Sequence, residues 1–320
     1  MNTTKPSPLC PGDTIALVAP ASWVTGVDQI VAALEERGFG VTVAANAFSK
    51  LSNFAGTDEE RSRSLMEAFV DPEVKGVWCM RGGYGCGRIL NLLDYEVIRQ
   101  NPKIFIGMSD ITALHVAFTQ LAGLTTFLGP VASFLTEKNR SPFAEKELWE
   151  TLSGMEKEWA YGETLVSGQA KGGLTGGNLA LLASHVGTPW EVETQGKILV
   201  LEDVDEYAYR IDRFLVQMEQ AALFDEVAGV ILGSWEKCKP GKEGDWEIDA
   251  VLHHFFKGAP FPVLRDFPTG HIADQVTLPL NSLVELDADA KRVTLLEPAV
   301  ALERLPKGRS TSLSLESERG

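Results

Sequence analysis

Cysteine, histidine and positive charge are all in short supply here. Only four cysteines occur in 320 residues, Cys10, Cys79, Cys86 and Cys238, with irregular spacing and no CxxC pair. That argues against a disulfide framework and against a structural zinc site. Lysine and arginine number 29 against 44 acidic residues, a net charge of −15. Nucleic acid and anionic membrane surfaces both select a basic face, so neither is expected as a partner. No run approaches the ~18 apolar residues of a membrane span, and "MNTTKPSPLCPGD" lacks the apolar core of a signal peptide, so the expected compartment is the cytoplasm. No HExxH or comparable ligand spacing occurs, and no metal or cofactor is expected. The chain is nonetheless 44% hydrophobic and 23% charged, with 30 glycines. That composition belongs to a globular protein with ample core, and the length favours two domains.

Short apolar runs alternate with amphipathic stretches. "TIALVAPAS" reads as a strand, followed by a helix with Ile30, Val31 and Leu34 on one face and Gly38 as its stop. "GVTVAANA" is the next strand. "GTDEERSRSLMEAFVDP" offers Thr57 as N-cap, acids in the first turn and Leu65, Met66 and Phe69 as the buried stripe. "VKGVWCM", "KIFIGM" and "LTTFLGPV" are strands, with "RILNLLDYEVI" and "DITALHVAFTQLA" as helices. The alternation implies an N-terminal α/β domain over 1–150, three layers around a mainly parallel sheet. Residues 137–170 are charged and weakly patterned, a helix and a crossing segment. A second, mixed α/β domain is expected over 170–306. Its strands include "GKILVLEDV" and "VAGVILGSW", and its helix "DEYAYRIDRFLVQMEQAALF" should turn Ile211, Phe214, Leu215, Met218 and Ala222 inward. "WEIDAVLHHFFKG" is a further helix, "FPVLRDFPTGH" a strand into a turn, and "HIADQVTLPLNSLVELDAD" and "RVTLLEP" closing strands. The polar tail 307–320 is expected to be loose.

In such sheets ligands bind beyond the carboxyl ends of the strands. Two polar corners fall there. "IFIGMSDITALHVAF" runs from strand into helix with almost no loop, placing Ser109 at the junction. A serine at such a corner is either a nucleophile, with a backbone N–H beside it at the helix start, or an ordinary N-cap. "MRGGYGCGR" brings converging backbone N–H groups, as a phosphate cradle, half an oxyanion hole or a plain turn; its spacing fits neither a P-loop nor a dinucleotide fingerprint. A nucleophilic serine needs a base. Of the five histidines, His115 and His185 lie in helical runs as packing residues, and His253 and His254 share an amphipathic helix. His271, in a glycine-flanked turn after a strand, is the best-placed base. Glu202 and Asp203 end an apolar strand and point to opposite faces. Asp203 suits the cap of the following helix, which leaves Glu202 to orient the histidine.

Taken together, "NFAGTDEER", "RGGYGCGRIL", "GMSDITAL", "TTFLGPV", "GGLTGGNLALLASHVGTPW", "ILVLEDVDEYAYRIDRFLVQM", "GVILGSW" and "GHIADQVTLPL" resemble the LD-carboxypeptidase serine peptidases of bacterial cell-wall recycling. The likeness runs in order from about residue 14 to about residue 300. It implies Ser109 as nucleophile, Glu202 as carboxylate and His271 as base, in a site between the two domains. Backbone N–H groups of Asp110 and Gly83 would form the oxyanion hole. It implies a murein tetrapeptide as substrate, cleaved to release D-alanine with no cofactor, and leaves a homodimer open. Arg81 and Asn178 are candidate donors to the substrate's terminal carboxylate. Microcin-immunity peptidases share the fold and triad but act on an aminoacyl-adenylate-like toxin. They carry an insertion in the second domain, and "SHVGTPWEVETQGKILVL" is short here. A non-enzymatic two-domain peptide-binding protein is the alternative from another class. A cysteine-nucleophile amidotransferase is disfavoured because the corner carries serine.

Overall fold

The computed structural model describes residues 3–136 and 140–302; the 307–320 tail lies outside the described residues. β1 (Thr14–Val18), β2 (Gly40–Val43), β3 (Val74–Cys79), β4 (Ile104–Gly107) and β5 (Thr126–Leu128) form a parallel sheet in the order β5-β4-β3-β1-β2. The order reverses at β1, which lies between β2 and β3. Loops leaving β1 and β3 therefore diverge and open a crevice at their carboxyl ends.

Alternation along each strand feeds the two faces separately. Ile15, Leu17, Trp78, Ile104 and Ile106 pack with Ile30 and Leu34 of the helix Val27–Glu35 and with Leu148 and Leu152 of the helix Pro142–Leu152. Ala16, Val18, Val77 and Phe105 pack on the other face with Leu65 and Phe69 of Asp58–Val70 and with Leu114 and Phe118 of Thr112–Leu121. This is the three-layer arrangement that the alternation implied. Thr57 caps its helix through a reciprocal box: its Oγ1 accepts from Glu60 N–H at 3.2 Å, and Glu60 Oε2 accepts from Thr57 N–H at 2.8 Å. The helix expected over "RILNLLDYEVI" is broken instead. A turn at Cys86–Ile89 passes into a 3-10 turn at Leu90–Leu92, and Asp94 caps a new helix, Tyr95–Gln100.

The second sheet is mixed. It contains β6 (Glu158–Trp159), β7 (Glu163–Val166), β8 (Gln169–Asn178), β9 (Lys197–Val204), β10 (Gly229–Glu236) and β11 (Val263–Arg265). β8 through β11 are parallel, and the flanking strands antiparallel. Covered on both faces, β9 is a continuous apolar run, Ile198 to Leu201, all fully buried. In the helix Ala208–Gln220, Ile211, Leu215 and Met218 are buried and Phe214 half-buried. Ala222, expected inward, lies past the helix end at φ 62 and is exposed.

One crossing has no signature in the sequence. β12 (Leu278–Leu280) leaves the second half of the chain and pairs antiparallel with β5 at the edge of the first sheet. Pro279 tolerates that place because an edge strand has an N–H position that need not donate. The chain then returns to the second sheet as β13 (Leu283–Asp287) and β14 (Arg292–Leu295). A single apolar cluster, including Trp78 and Phe127 from one sheet and Val200, Ile231 and Leu264 from the other, joins the halves. Among the described residues no helix is long and apolar enough to cross a membrane.

Candidate active site

The corner after β4 is tight. Met108 occupies the cap position of the 3-10 turn Ser109–Ile111, so Ser109 is its first residue and not its cap. Ser109 itself has φ 65. A left-handed non-glycine residue costs on the order of 1–3 kcal/mol, and such residues concentrate where a side chain must be aimed. Gly107 makes the corner feasible, because a Cβ there would lie 2.8 Å from Ile111 Cγ2. The loop after β3 touches the serine directly: a Cβ on Gly82 would stand 2.8 Å from Ser109 Cβ and 3.1 Å from its Oγ. Backbone and hydroxyl can approach this closely only because residue 82 has no side chain.

The surrounding loops are laced together. Ser22, after β1, donates its N–H to Gly82 O at 3.3 Å and accepts from Tyr84 N–H through Oγ at 3.2 Å. Gly83 has φ 106, and a Cβ there would come within 2.3 Å of Ser22 Oγ. Asp110 is 1% exposed, and its Oδ2 accepts from Cys86 N–H at 2.7 Å. Burial raises the Asp110 pKa, and the Cys86 bond opposes that shift. Arg61, also 1% exposed, donates through Nη1 to Gly85 O at 2.9 Å and to Pro20 O, tying the loops after β1 and β3 together from behind. Arg81 is exposed beside them, with Nη1 donating to Trp23 O at 3.2 Å.

The histidine comes from the other half. His271 lies in the turn after β11, and its Nδ1 is 2.7 Å from Glu202 Oε2. Glu202 is fully buried, near the end of β9. Burial alone would pull the imidazole pKa down. The Glu202 bond and the charges of Glu202, Asp203 and Glu236 outweigh it, and the pKa is raised. With Nδ1–H donated to a carboxylate, Nε2 carries the lone pair that a base requires. Two contacts join this pair to the serine corner. Asn178 N–H donates to Thr112 Oγ1, three residues past Ser109, at 3.0 Å. Asn178 is also the register partner of Glu202 across β8 and β9.

Gly270 sets the histidine's seat. Its φ is 111, and a Cβ there would lie 2.7 Å from Glu202 Oε2 and 2.5 Å from Ser234 Oγ. Gly270→Ala is expected to displace the Glu202–His271 pair. It should lower kcat on the order of 10²-fold with a much smaller change in KM, since a misplacement near 1 Å costs about that much. Steady-state kinetics of the folded variant checks this, and an unchanged kcat would show that the seat tolerates a methyl group.

Two expectations need correction, those for Asn178 and Asp203. Asn178 is not free to meet a substrate carboxylate. It is 3% exposed, its Nδ2 donates to Asp203 Oδ1 at 3.0 Å, and its Oδ1 accepts from Leu181 N–H at 3.2 Å, capping the helix Leu179–Ser184. Asp203 does not cap the helix after β9, which starts behind Tyr207. Its Oδ2 accepts from Ala180 N–H at 2.9 Å and its Oδ1 from Val204 N–H at 2.8 Å. Burial lifts its pKa to about 6, against the pull of those bonds. His115 is fully buried, with both ring nitrogens at 2.9 Å from partners, Thr126 Oγ1 and Gly107 O. Burial lowers its pKa to about 4, which leaves it a neutral prop beneath the corner. His185 Nδ1 lies 2.8 Å from Leu181 O, and His253 and His254 are exposed. Sequence reasoning missed Ser22 and Arg61, and it noted the glycine cluster and the glycine beside His271 without assigning Gly82 and Gly270 their close contacts with Ser109 and Glu202. The polar end of "TIALVAPAS" was the one signal for Ser22.

Two family models match the chain in succession: the LD-carboxypeptidase N-terminal domain over residues 15–129 and the C-terminal domain over 171–286. A probable murein peptide carboxypeptidase of Bacillus subtilis (strain 168) is 38% identical over 306 residues, 93% of this chain and 95% of the relative. The crystal structure of a muramoyltetrapeptide carboxypeptidase from Oxalobacter formigenes superposes with a TM-score of 0.78 at 32% identity, covering 88% of this chain and 97% of that one. The microcin C7 self-immunity protein MccF of Escherichia coli is 30% identical over 339 residues, 93% of this chain and 97% of the relative. A structure of that protein gives a TM-score of 0.85 at 25% identity, over 93% of this chain and 100% of the other. With both halves matched in order, and relatives aligned along nearly their whole length, the chain belongs to the LD-carboxypeptidase family of peptidases.

Proposed function

We propose that this chain is a serine-type LD-carboxypeptidase that hydrolyses murein tetrapeptides, releasing the terminal D-alanine. The observation that carries the reading is the 2.7 Å contact between His271 Nδ1 and buried Glu202, tied through Asn178 and Thr112 to the strained Ser109 corner. In the proposed reaction His271 Nε2 takes the proton of Ser109 as the hydroxyl attacks the carbonyl of the third, L-configured residue, diaminopimelate or lysine. The N–H groups of Asp110 and Gly83 receive the negative oxygen. Collapse breaks the peptide bond, and the imidazolium returns the proton to the departing D-alanine amine. Water, deprotonated by the same imidazole, then cleaves the ester and restores Ser109. Glu202 holds the tautomer and stabilises the imidazolium. Arg81, exposed beside the serine loop, is the proposed partner of the terminal carboxylate.

The microcin-immunity reading has support in the higher TM-score. Identity favours the murein peptide, 38% against 30%. The microcin relative's match also runs over 339 positions, more than this chain's 320 residues, so that relative carries insertions that are missing here. The test is incubation with free tetrapeptide and, separately, with an aminoacyl-adenylate-type compound, read by mass spectrometry. Loss of D-alanine is expected. Cleavage of the adenylate alone would transfer the chain to the microcin-type reading. Turnover of neither, with no labelling by a serine-reactive probe, would favour the peptide-binding protein.

A further inference from the structure

Opposite Glu202, the pairing of β9 with β10 slips. Leu232 is the register partner of Leu201 and Trp235 that of Asp203, so Gly233 and Ser234 together face the single residue Glu202. Such a bulge re-aims a side chain, and bulges gather beside active sites. This one is pinned from the His271 turn. Ser234 N–H donates to Thr269 O at 2.9 Å, and a Cβ on Gly233 would meet Thr269 O at 2.6 Å and Glu202 Cβ at 3.2 Å. The bulge thus ties Ser234 to the turn that carries His271 and sets Gly233 against Glu202. Ser234 Oγ and Glu202 Oε2 flank the same point, the missing Cβ of Gly270, at 2.5 and 2.7 Å.

Two buried atoms there have no hydrogen-bond partner among the described residues: Ser234 Oγ and Glu202 Oε1, the carboxylate oxygen not bonded to His271. A hydroxyl carries one donor and an ionised carboxylate only acceptors, so these two groups are chemically complementary. Buried polar groups of this kind are almost always satisfied.

We propose that Ser234 is a positioning residue: the two groups are not bonded to each other as they stand, and a turn of the hydroxyl or one bridging water lets Ser234 donate to the Glu202 carboxylate and fix the rotation that presents Oε2 to His271 Nδ1. Ser234 touches no reacting atom and acts only through Glu202. The inference rests on the reading of Glu202 and His271 as orienting acid and base, and it adds the group that holds the acid still.

Ser234→Ala removes the donor without adding bulk. It is expected to lower kcat about tenfold, the effect of one hydrogen bond, with KM within about twofold of wild type in a variant that still folds. The second readout is the low-field proton resonance of His271 Nδ1, which should move or broaden in the variant; a purely structural role for Ser234 would leave it in place. Ser234→Ala with wild-type kcat, or with a lower kcat and an unmoved resonance, overturns the proposal. Glu202→Gln, measured alongside, keeps the two readings apart. An active Glu202→Gln enzyme means the acid–base pair itself is wrong, whereas an inactive one beside an unaffected Ser234→Ala enzyme removes only Ser234.

Discussion

Ser109→Ala is expected to lower kcat for the proposed D-alanine release by about 10⁴–10⁶, because removing the proposed nucleophile leaves only binding and the proposed oxyanion donors to act on the peptide bond. Tetrapeptide should still bind, since the Oγ contributes to the transition state far more than to the ground state. Activity within about tenfold of wild type would remove Ser109 from the mechanism. A companion variant separates chemistry from strain. Ser109→Gly should be equally inactive, yet more stable than Ser109→Ala by about 0.5–1 kcal/mol, because glycine adopts the left-handed backbone without a Cβ penalty. Denaturant titration of the two inactive variants reads that difference. The φ of 65 at Ser109 predicts its sign.

Much of the candidate site is legible in local sequence, because its parts stand at strand ends. Ser109, Glu202 and His271 each follow an apolar run, and period-two and helical patterns locate those ends well. Local patterns do not reveal which strand lies beside which. Chain order alone assigns Asp203 to the helix that follows it. The pairing of β8 with β9 sets Asn178 beside Glu202, and the helix start that Asp203 meets is the one after Asn178. The same long-range pairing turned Asn178 from a candidate ligand into part of the scaffold. Ser22 and Gly82 became neighbours only because β1 and β3 are adjacent at the reversal of strand order. Arg61 was hidden for a different reason. It sits in the polar run "DEERSRS", yet it is almost wholly buried because its guanidinium reaches two loop carbonyls that no helical period encodes.

Glu202→Gln should combine a large rate loss with a shift whose direction is fixed. An amide at this position cannot hold Nδ1–H as a carboxylate does and can favour the wrong tautomer. A loss of about 10⁴ in kcat is therefore expected, the scale seen when a triad carboxylate becomes an amide. The acid limb of kcat/KM reports deprotonation of the base in the free enzyme. In the wild type His271 titrates above the ordinary histidine value, since the Glu202 bond and nearby negative charges overcome burial. The variant loses the bond and the nearest charge but keeps the burial, so its acid limb should move to lower pH. Stability must follow the same linkage. The folded wild type binds the His271 proton more tightly than the unfolded chain, so this group's contribution is complete below about pH 6.5 and fades as pH rises through the raised folded value. Unfolding measured at pH 5.5 and at pH 8.5 should show Glu202→Gln losing more stability at the acidic value. An acid limb unmoved by the substitution would mean that the titrating base is some group other than His271.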